Sequence, residues 1–345
     1  MRLTSLYLKQ FRKLSERSFD FAPGVNALVG PNAQGKTTIL EAIYFLIAGK
    51  SFRTHRLSDL FQEGTHRFDL ATEIAKSHDM TRLTVTLEPD HRHIVYHNTR
   101  SNHLSALLGL LLGSAMTPDD VHLVKGSPSA RRDFLDVQIA ETDPLYNWHL
   151  SRYERAMRQR NQLLKSKKAP TCEAWEHEMA LSAAYLTQSR GTATSLLEAH
   201  FQSLYSRLQG SGERVSLAFM STGGDEHFFR ETWSRHRPRE MLLGFTLVGP
   251  HKDDLEILID GKPAKTFASE GQKQTLLLAL KLAEWRRLFE LSSEKPLFLL
   301  DDVGLGLDPD RQERLFGEIA SMGQVFLTTT DTKKFPLQQA HIIFV

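Results

Sequence analysis

The chain has 345 residues, with 43 Lys and Arg against 41 Asp and Glu and a formal net charge of +2. That length exceeds what one hydrophobic core usually supports, so a main domain with a second lobe is expected; near-neutrality means that any nucleic-acid surface must come from local clustering. The single cysteine, Cys172, excludes an internal disulfide framework and suits a reducing compartment, and the longest apolar run, Leu104 to Met116, is broken by glycines and too short to span a bilayer. The first residues alternate as a strand rather than as a secretory signal, so a soluble cytoplasmic protein with no membrane partner is expected.

The first hundred residues read as strands: Leu3–Leu8, Ser18–Phe21, Val25–Val29, Asp69–Ile74, Arg82–Glu88 and His93–His97 carry alternating or β-branched character. One helix interrupts them. It follows Gly30-Pro31-Asn32-Ala33-Gln34-Gly35-Lys36-Thr37-Thr38, whose first eight residues fit G-x-x-x-x-G-K-[ST] between an apolar strand and a helix running to about Ala48. The glycines let backbone N–H groups turn toward phosphates, and the helix directs its positive end at the same anion. In that pattern Lys36 neutralises the β- and γ-phosphates of a nucleoside triphosphate, and the Thr37 hydroxyl ligates Mg²⁺.

From Pro118 the texture turns helical, with Pro128–Ile139, Leu145–Lys165 and Glu173–Leu208 as the long patterns. Between Ser151 and Pro170, Arg152, Arg155, Arg158, Arg160, Lys165, Lys167 and Lys168 stand against one acid, Glu154, a local charge of about +6. Arg131 and Arg132 add to the same lobe. Such a run is either a solvated helix face or a surface that meets nucleic-acid phosphates by charge, with little sequence dependence. Trp148, Tyr153 and Trp175 have the chemistry to stack bases, but aromatics at helical spacing are more often core. The histidines show no metal spacing; His251, after Gly249-Pro250, is the one candidate for a nucleotide or interface contact.

A strand at Arg214–Phe219, a helical piece at Glu226–His236 and a strand at Leu255–Ile259 entering a hairpin lead back to α/β texture. Helix Glu270–Leu291, strand Pro296–Leu300, helix Pro309–Met322 and strand Gln324–Thr329 look like the second half of a nucleotide-binding sheet. The first of these strands ends in Asp301-Asp302, which places Asp301 beside the Thr37-bound Mg²⁺ and leaves Asp302 able to polarise an attacking water. Ser269-Glu270-Gly271-Gln272 opens the preceding helix, presenting a serine, a glycine and free backbone N–H groups at its positive end as a second anion site. The expected organisation is an α/β head at 1–115 and 245–345 with a helical lobe inserted at 116–244.

Phosphate loop, S-x-G-Q and acid strand in this order resemble the ATP-binding cassette ATPases, in particular the branch containing Rad50 and the chromosome-maintenance proteins. The resemblance to the RecF family extends over nearly the whole chain. It rests on Leu40-Glu41-Ala42-Ile43-Tyr44, Gly49-Lys50-Ser51-Phe52-Arg53-Thr54, Leu123-Val124-Lys125-Gly126-Ser127-Pro128, Arg131-Arg132-Asp133-Phe134-Leu135-Asp136, Arg160-Asn161, Gly249-Pro250-His251-Lys252-Asp253-Asp254-Leu255, Asp301-Asp302-Val303 and Thr328-Thr329-Thr330-Asp331. It implies a cassette-type P-loop ATPase head with a mixed β-sheet and an inserted helical lobe. It also implies an ATP-dependent homodimer that binds DNA at junctions of duplex and single strand and works with RecR and RecO to load RecA, hydrolysing ATP slowly. Carried over, Gly30 to Thr38 hold ATP, Thr37 and Asp301 the Mg²⁺, Asp302 activates water, and Ser269, Gly271 and Gln272 serve the opposed subunit. Arg131, Arg132, Arg152, Arg155, Arg158 and Arg160 are the candidate DNA contacts.

One stretch departs from the family. A Ser-Glu-Leu-Asp loop usually follows the paired acids, whereas this chain reads Leu305-Gly306-Leu307-Asp308, so slower hydrolysis is expected. A transporter cassette is disfavoured: it usually carries a histidine where this chain has Thr330-Asp331, and its insert is neither so long nor so basic. A structural clamp with ATP as a dimerising ligand alone stays open at this point.

Overall fold

The computed structural model describes residues 1–76, 79–167, 171–210, 212–302, 308–330 and 340–345. The N-terminal part forms β1 (Arg2–Phe11), β2 (Leu14–Asp20), β3 (Gly24–Val29), α1 (Lys36–Ala48), β4 (Phe68–Lys76), β5 (Asp79–Leu87), β6 (Arg92–Tyr96), β7 (Thr99–Ser101) and β8 (Gly113–Met116). Helices α2 (Val121–Lys125), α3 (Pro128–Ala140), α4 (Pro144–Lys165) and α5 (Cys172–Gln209) follow, then β9 (Val215–Met220), α6 (Glu226–Leu243), β10 (Asp254–Ile259), β11 (Lys262–Pro263) and α7 (Ala264–Phe267). The chain closes with α8 (Glu270–Ser292), β12 (Leu297–Leu300), α9 (Pro309–Ala320), β13 (Gln324–Thr329) and β14 (His341–Phe344).

Two compact units result: Met1–Val121, Ser203–Gly212 and Ser269–Val345 make the first, and His122–Gln202 with Glu213–Ala268 the second. The first is α/β. Its parallel sheet has the order β14-β3-β13-β12-β8, and an antiparallel sheet runs β2-β1-β4-β5-β6-β7. Strands β12 and β13 are buried along their whole length, as the interior of a parallel sheet requires, which is why they read as apolar runs rather than alternating ones. One apolar core takes Leu6 and Phe11 from β1, Leu40 and Phe45 from α1, and Leu299 and Phe326 from the parallel sheet. Phe68 meets Phe11 and Phe45 in edge-to-face pairs at centroid distances of 5.0 and 5.5 Å. The Gln324 side chain ties the two sheets together: its Oε1 accepts from Leu3 N–H at 2.7 Å and its Nε2 donates to Leu3 O at 2.8 Å.

The register of the parallel sheet decides where the chemistry gathers. Thr329 lies opposite Val29, and Leu300 lies opposite both Leu327 and Met116, so the segments after β3, β12 and β13 leave from the same carboxyl edge. Open α/β sheets place their ligands at that edge.

The second unit combines α3, α4, most of α5 and α6 with the antiparallel sheet β11-β10-β9. Its interior is unusually ionic. Arg190 donates to Asp136 at 2.9 Å, to the Pro250 carbonyl at 2.6 Å and to Asp253 at 3.1 Å. Arg131 makes a two-pronged pair with Asp254 at 2.7 and 2.8 Å. Such pairs cost desolvation and hold only with full partners, so they fix geometry more than they add stability.

Candidate nucleotide site

The loop after β3 turns through left-handed backbone at Ala33 (φ 67°) and Gly35 (φ 107°). A side chain at Gly35 would also stand 3.0 Å from Leu14, so conformation and space both call for glycine there. Helix α1 begins at once, with Ile39 N–H bonded to Gly35 O at 3.0 Å. Pro31, Asn32, Ala33 and Gln34 are exposed, whereas Lys36 and Thr38 are buried. The Lys36 ammonium donates to the carbonyls of Gly30 at 2.6 Å and Pro31 at 2.8 Å, which keeps its charge at the loop.

Thr37 and Asp301 are 264 residues apart, and the Thr37 hydroxyl donates to Asp301 Oδ1 at 2.9 Å. The Thr328 hydroxyl donates to the same oxygen at 2.9 Å and accepts from the Asp302 N–H at 2.7 Å. Burial pushes the Asp301 carboxyl above the usual range; the bonds from Thr37 and Thr328 oppose this, and the neighbouring Asp302 charge adds to it. Asp302 itself is half-buried with φ 48°. A hydroxyl and a buried carboxylate at this separation are hard oxygen donors of the kind that Mg²⁺ takes beside phosphate oxygens, so the residues fit that ion. Sequence alone does not mark Thr328 as a site member. Its one signal is a run of threonines ending an otherwise apolar strand.

A brace lies behind the loop. Glu41 of α1, fully buried, accepts from Arg12 at 3.0 and 2.5 Å and from Ser51 at 2.5 Å, with Arg53 at 3.6 Å. This joins the β1–β2 hairpin and the segment after α1 to the phosphate-loop helix.

Ser269 N-caps α8 in a reciprocal box: its Oγ accepts from Gln272 N–H at 3.2 Å, and Gln272 Oε1 accepts from Ser269 N–H at 2.6 Å. Both side chains predicted for an opposed subunit therefore also fix the start of their own helix. Gly271 O accepts from Arg311 at 3.4 Å, and Arg311 is held by Asp308, the N-cap of α9. The structure thus joins Gly271 to Arg311 of α9 and Thr37 to Asp301, while Lys36 is held at the loop carbonyls. Val303, Leu305, Gly306, Leu307, Asp331 and Lys168 lie outside the described residues.

The basic run divides by burial, which corrects part of the sequence expectation. Arg160 is fully buried; it donates to Glu176 at 3.1 and 2.8 Å, to Glu240 at 2.6 Å and to Thr246 at 2.9 Å. Arg131 is buried against Asp254, and Arg132 donates to Asp253 O at 2.9 Å. Arg160 and Arg131 therefore hold the fold and offer no phosphate-facing surface. Arg152 is half-buried and pairs with Glu178 at 2.7 Å, while the side chains of Arg155 and Arg158 are 65% and 68% exposed. Among the aromatics, Tyr153 is buried as core, but Trp148 is half exposed, against the expectation from its spacing.

His251 is likewise committed within the second unit. Its Nε2 donates to Thr246 O at 3.0 Å, so Nδ1 accepts the Tyr153 hydroxyl at 2.7 Å. Gly249, at φ 141°, lets the loop close here, since any side chain would strike that hydroxyl.

Among the described residues no helix is long and apolar enough to cross a membrane. The RecF/RecN/SMC N-terminal domain model matches residues 2–343. The DNA replication and repair protein RecF of Protochlamydia amoebophila is 45% identical over 341 residues, covering 96% of this chain and 95% of that one. The protein of the same name from Chlamydia abortus is 36% identical, covering 100% and 96%. A solved recombination mediator protein, RecF-ATPrS of the RecFOR pathway, superposes with a TM-score of 0.90 at 27% identity, covering 99% of this chain and 96% of that one. An Smc head bound to the C-winged helix domain of ScpA superposes at 0.55 with 18% identity over 96% and 90%, a likeness of fold alone.

Proposed function

The chain belongs to the RecF branch of the RecF/RecN/SMC family, and from that premise we propose that it is an ATP-dependent DNA-binding protein of replication and recombinational repair. It acts in the cytoplasm as a dimer formed on ATP, with RecO and RecR as partners at gapped or junction DNA and RecA loading as the outcome. One observation carries this reading: Thr37 and Asp301 share a hydrogen bond of 2.9 Å at the carboxyl edge of the parallel sheet, and the helix that precedes β12 is capped by Ser269.

In this reading Lys36 contacts the β- and γ-phosphates, and Thr37 with Asp301 holds Mg²⁺. The ion supplies neutralisation of phosphate charge when bound. Asp302, whose backbone is tethered to Thr328, orients the attacking water. Ser269 is exposed at the positive end of α8, where it can meet a nucleotide held by a second copy. ATP then favours the closed dimer by its differential affinity for that state, and hydrolysis reopens it. The Leu305-Gly306 departure supports slow turnover, so the nucleotide serves chiefly as a timer of closure.

The test is light scattering of the wild type and Lys36→Met with ATP and Mg²⁺, with and without gapped DNA. A mass doubling in the wild type alone is expected. A wild-type mass that stays monomeric under every condition excludes the ATP-dependent dimer.

A further inference from the structure

A cleft of about 410 Å³ lies along α4 in the second unit, lined by Trp148, Ser151, Arg152, Arg155, Arg158 and Glu178. We propose that this cleft binds unpaired nucleic acid, with a base stacked on Trp148 and flanking phosphates on Arg155 and Arg158. The proposal rests on the DNA-binding reading above and adds to it a site that discriminates single strand from duplex.

Positions 148, 152, 155 and 158 advance by four, three and three residues, with Ser151 three beyond Trp148, so they form one stripe on the helix. Within it, Trp148 is 50% exposed although an indole normally gains from burial. The indole is propped. The Arg152 guanidinium lies over it at 4.8 Å from the ring centroid, and Arg152 is itself clamped by Glu178, with Nε and Nη2 each at 2.7 Å from a carboxylate oxygen. The Trp148 ring is thereby pre-positioned at the cleft.

Arg155 and Arg158 are differently placed. Their nearest carboxylates, Glu178 and Glu154, stand at 3.7 and 3.8 Å, beyond hydrogen-bond length, so their donors remain available to phosphate oxygens. An aromatic plane beside two such cations is the composition of a single-strand platform: every base has a face to stack, and the backbone follows the charge. Bases in an intact duplex are stacked on one another and cannot offer that face. A protein partner suits the cleft less well, because the indole is the only apolar side chain among its lining residues.

The experiment is fluorescence anisotropy of the full chain with ATP and Mg²⁺, with labelled oligo(dT) and with a duplex of equal length, across a salt series, with folding checked by thermal melts. Trp148→Ala is expected to weaken oligo(dT) binding by roughly 5- to 150-fold, the range of one base stack, with duplex affinity and salt slope unchanged. Trp148→Phe restores most of the binding. Replacing Arg155 and Arg158 by Gln flattens the salt dependence by about 0.7 in slope for each phosphate no longer neutralised. Unaltered oligo(dT) binding by folded Trp148→Ala overturns the proposal, as does an equal loss for single strand and duplex, or competition by polyglutamate as strong as by oligo(dT). A wild type that binds neither nucleic acid overturns the DNA-binding reading itself, whereas wild-type duplex binding with no Trp148 effect removes only the cleft.

Discussion

Arg160 and Glu240 meet at 2.6 Å with no solvent reaching either side chain. Around them Glu176 accepts from Arg160 Nε and Nη2 and also binds Arg237, while Glu240 accepts from Leu247 N–H at 2.7 Å. One arginine thus joins α4, α5, α6 and the segment after α6. What reads as part of a DNA-binding run is the ionic centre of the second unit.

Removing that arginine leaves two buried carboxylates short of a partner, so Arg160→Ala should destabilise the protein by about 3–5 kcal/mol. Arg158→Ala, on the exposed face, should stay within about 0.5 kcal/mol of wild type. Urea denaturation followed by circular dichroism distinguishes them; equal midpoints would show that the buried network contributes little.

Thr328 positions both acids. Thr328→Val keeps the shape but removes the hydroxyl that Asp301 and the Asp302 N–H use, at a cost of about 1–3 kcal/mol for the groups left unpaired. The expected kinetic signature is lower ATP turnover with nucleotide affinity largely retained, since the loop and Lys36 are untouched. Fluorescent-nucleotide titration beside a phosphate-release assay reads both, and full turnover in the variant would confine Thr328 to a structural role.

Asp308 caps α9 and braces Arg311, whose guanidinium reaches Gly271 O. Asp308→Ala should lower stability by about 1 kcal/mol through removal of the cap and should loosen the first turn of α8. Hydrogen exchange at Gly271 to Lys273 checks the second effect; unchanged protection there would mean that Arg311 does not support the signature turn.

Burial pushes the His251 imidazole down to about 4, so the folded protein holds it neutral. The unfolded chain takes up that proton near pH 6.5. Its contribution is therefore complete above about pH 6.5 and is lost as pH falls toward 4, a change on the order of 3 kcal/mol. Denaturation midpoints of wild type and His251→Gln should converge over that interval. Parallel pH profiles would assign the acid sensitivity to other groups.

Much is legible in the chain because its signals are local. The phosphate loop depends on glycines at a fixed spacing and on the helix that follows. Ser269 and Gln272 are three residues apart, which is the spacing of the capping box they form, and β13 and α8 declare themselves through burial patterns that recur within a few residues. Strand β8 hides within an apolar stretch and β14 carries no pattern of its own, because each is short and gains its identity from pairing with a distant strand.

By itself, then, the sequence determined the nucleotide loop, the paired acids and the family, since these rest on residue types at short, ordered spacings. Only the tertiary structure decided which arginines face water. Charge along a helix repeats every turn whether or not a carboxylate from another helix covers it, so Arg160 and Arg158 look alike in one dimension and differ wholly in three. The same holds for Trp148, whose helical spacing suggests core and whose neighbours leave it exposed, and for Thr328, which becomes part of the site only when the sheet register brings it beside Asp301.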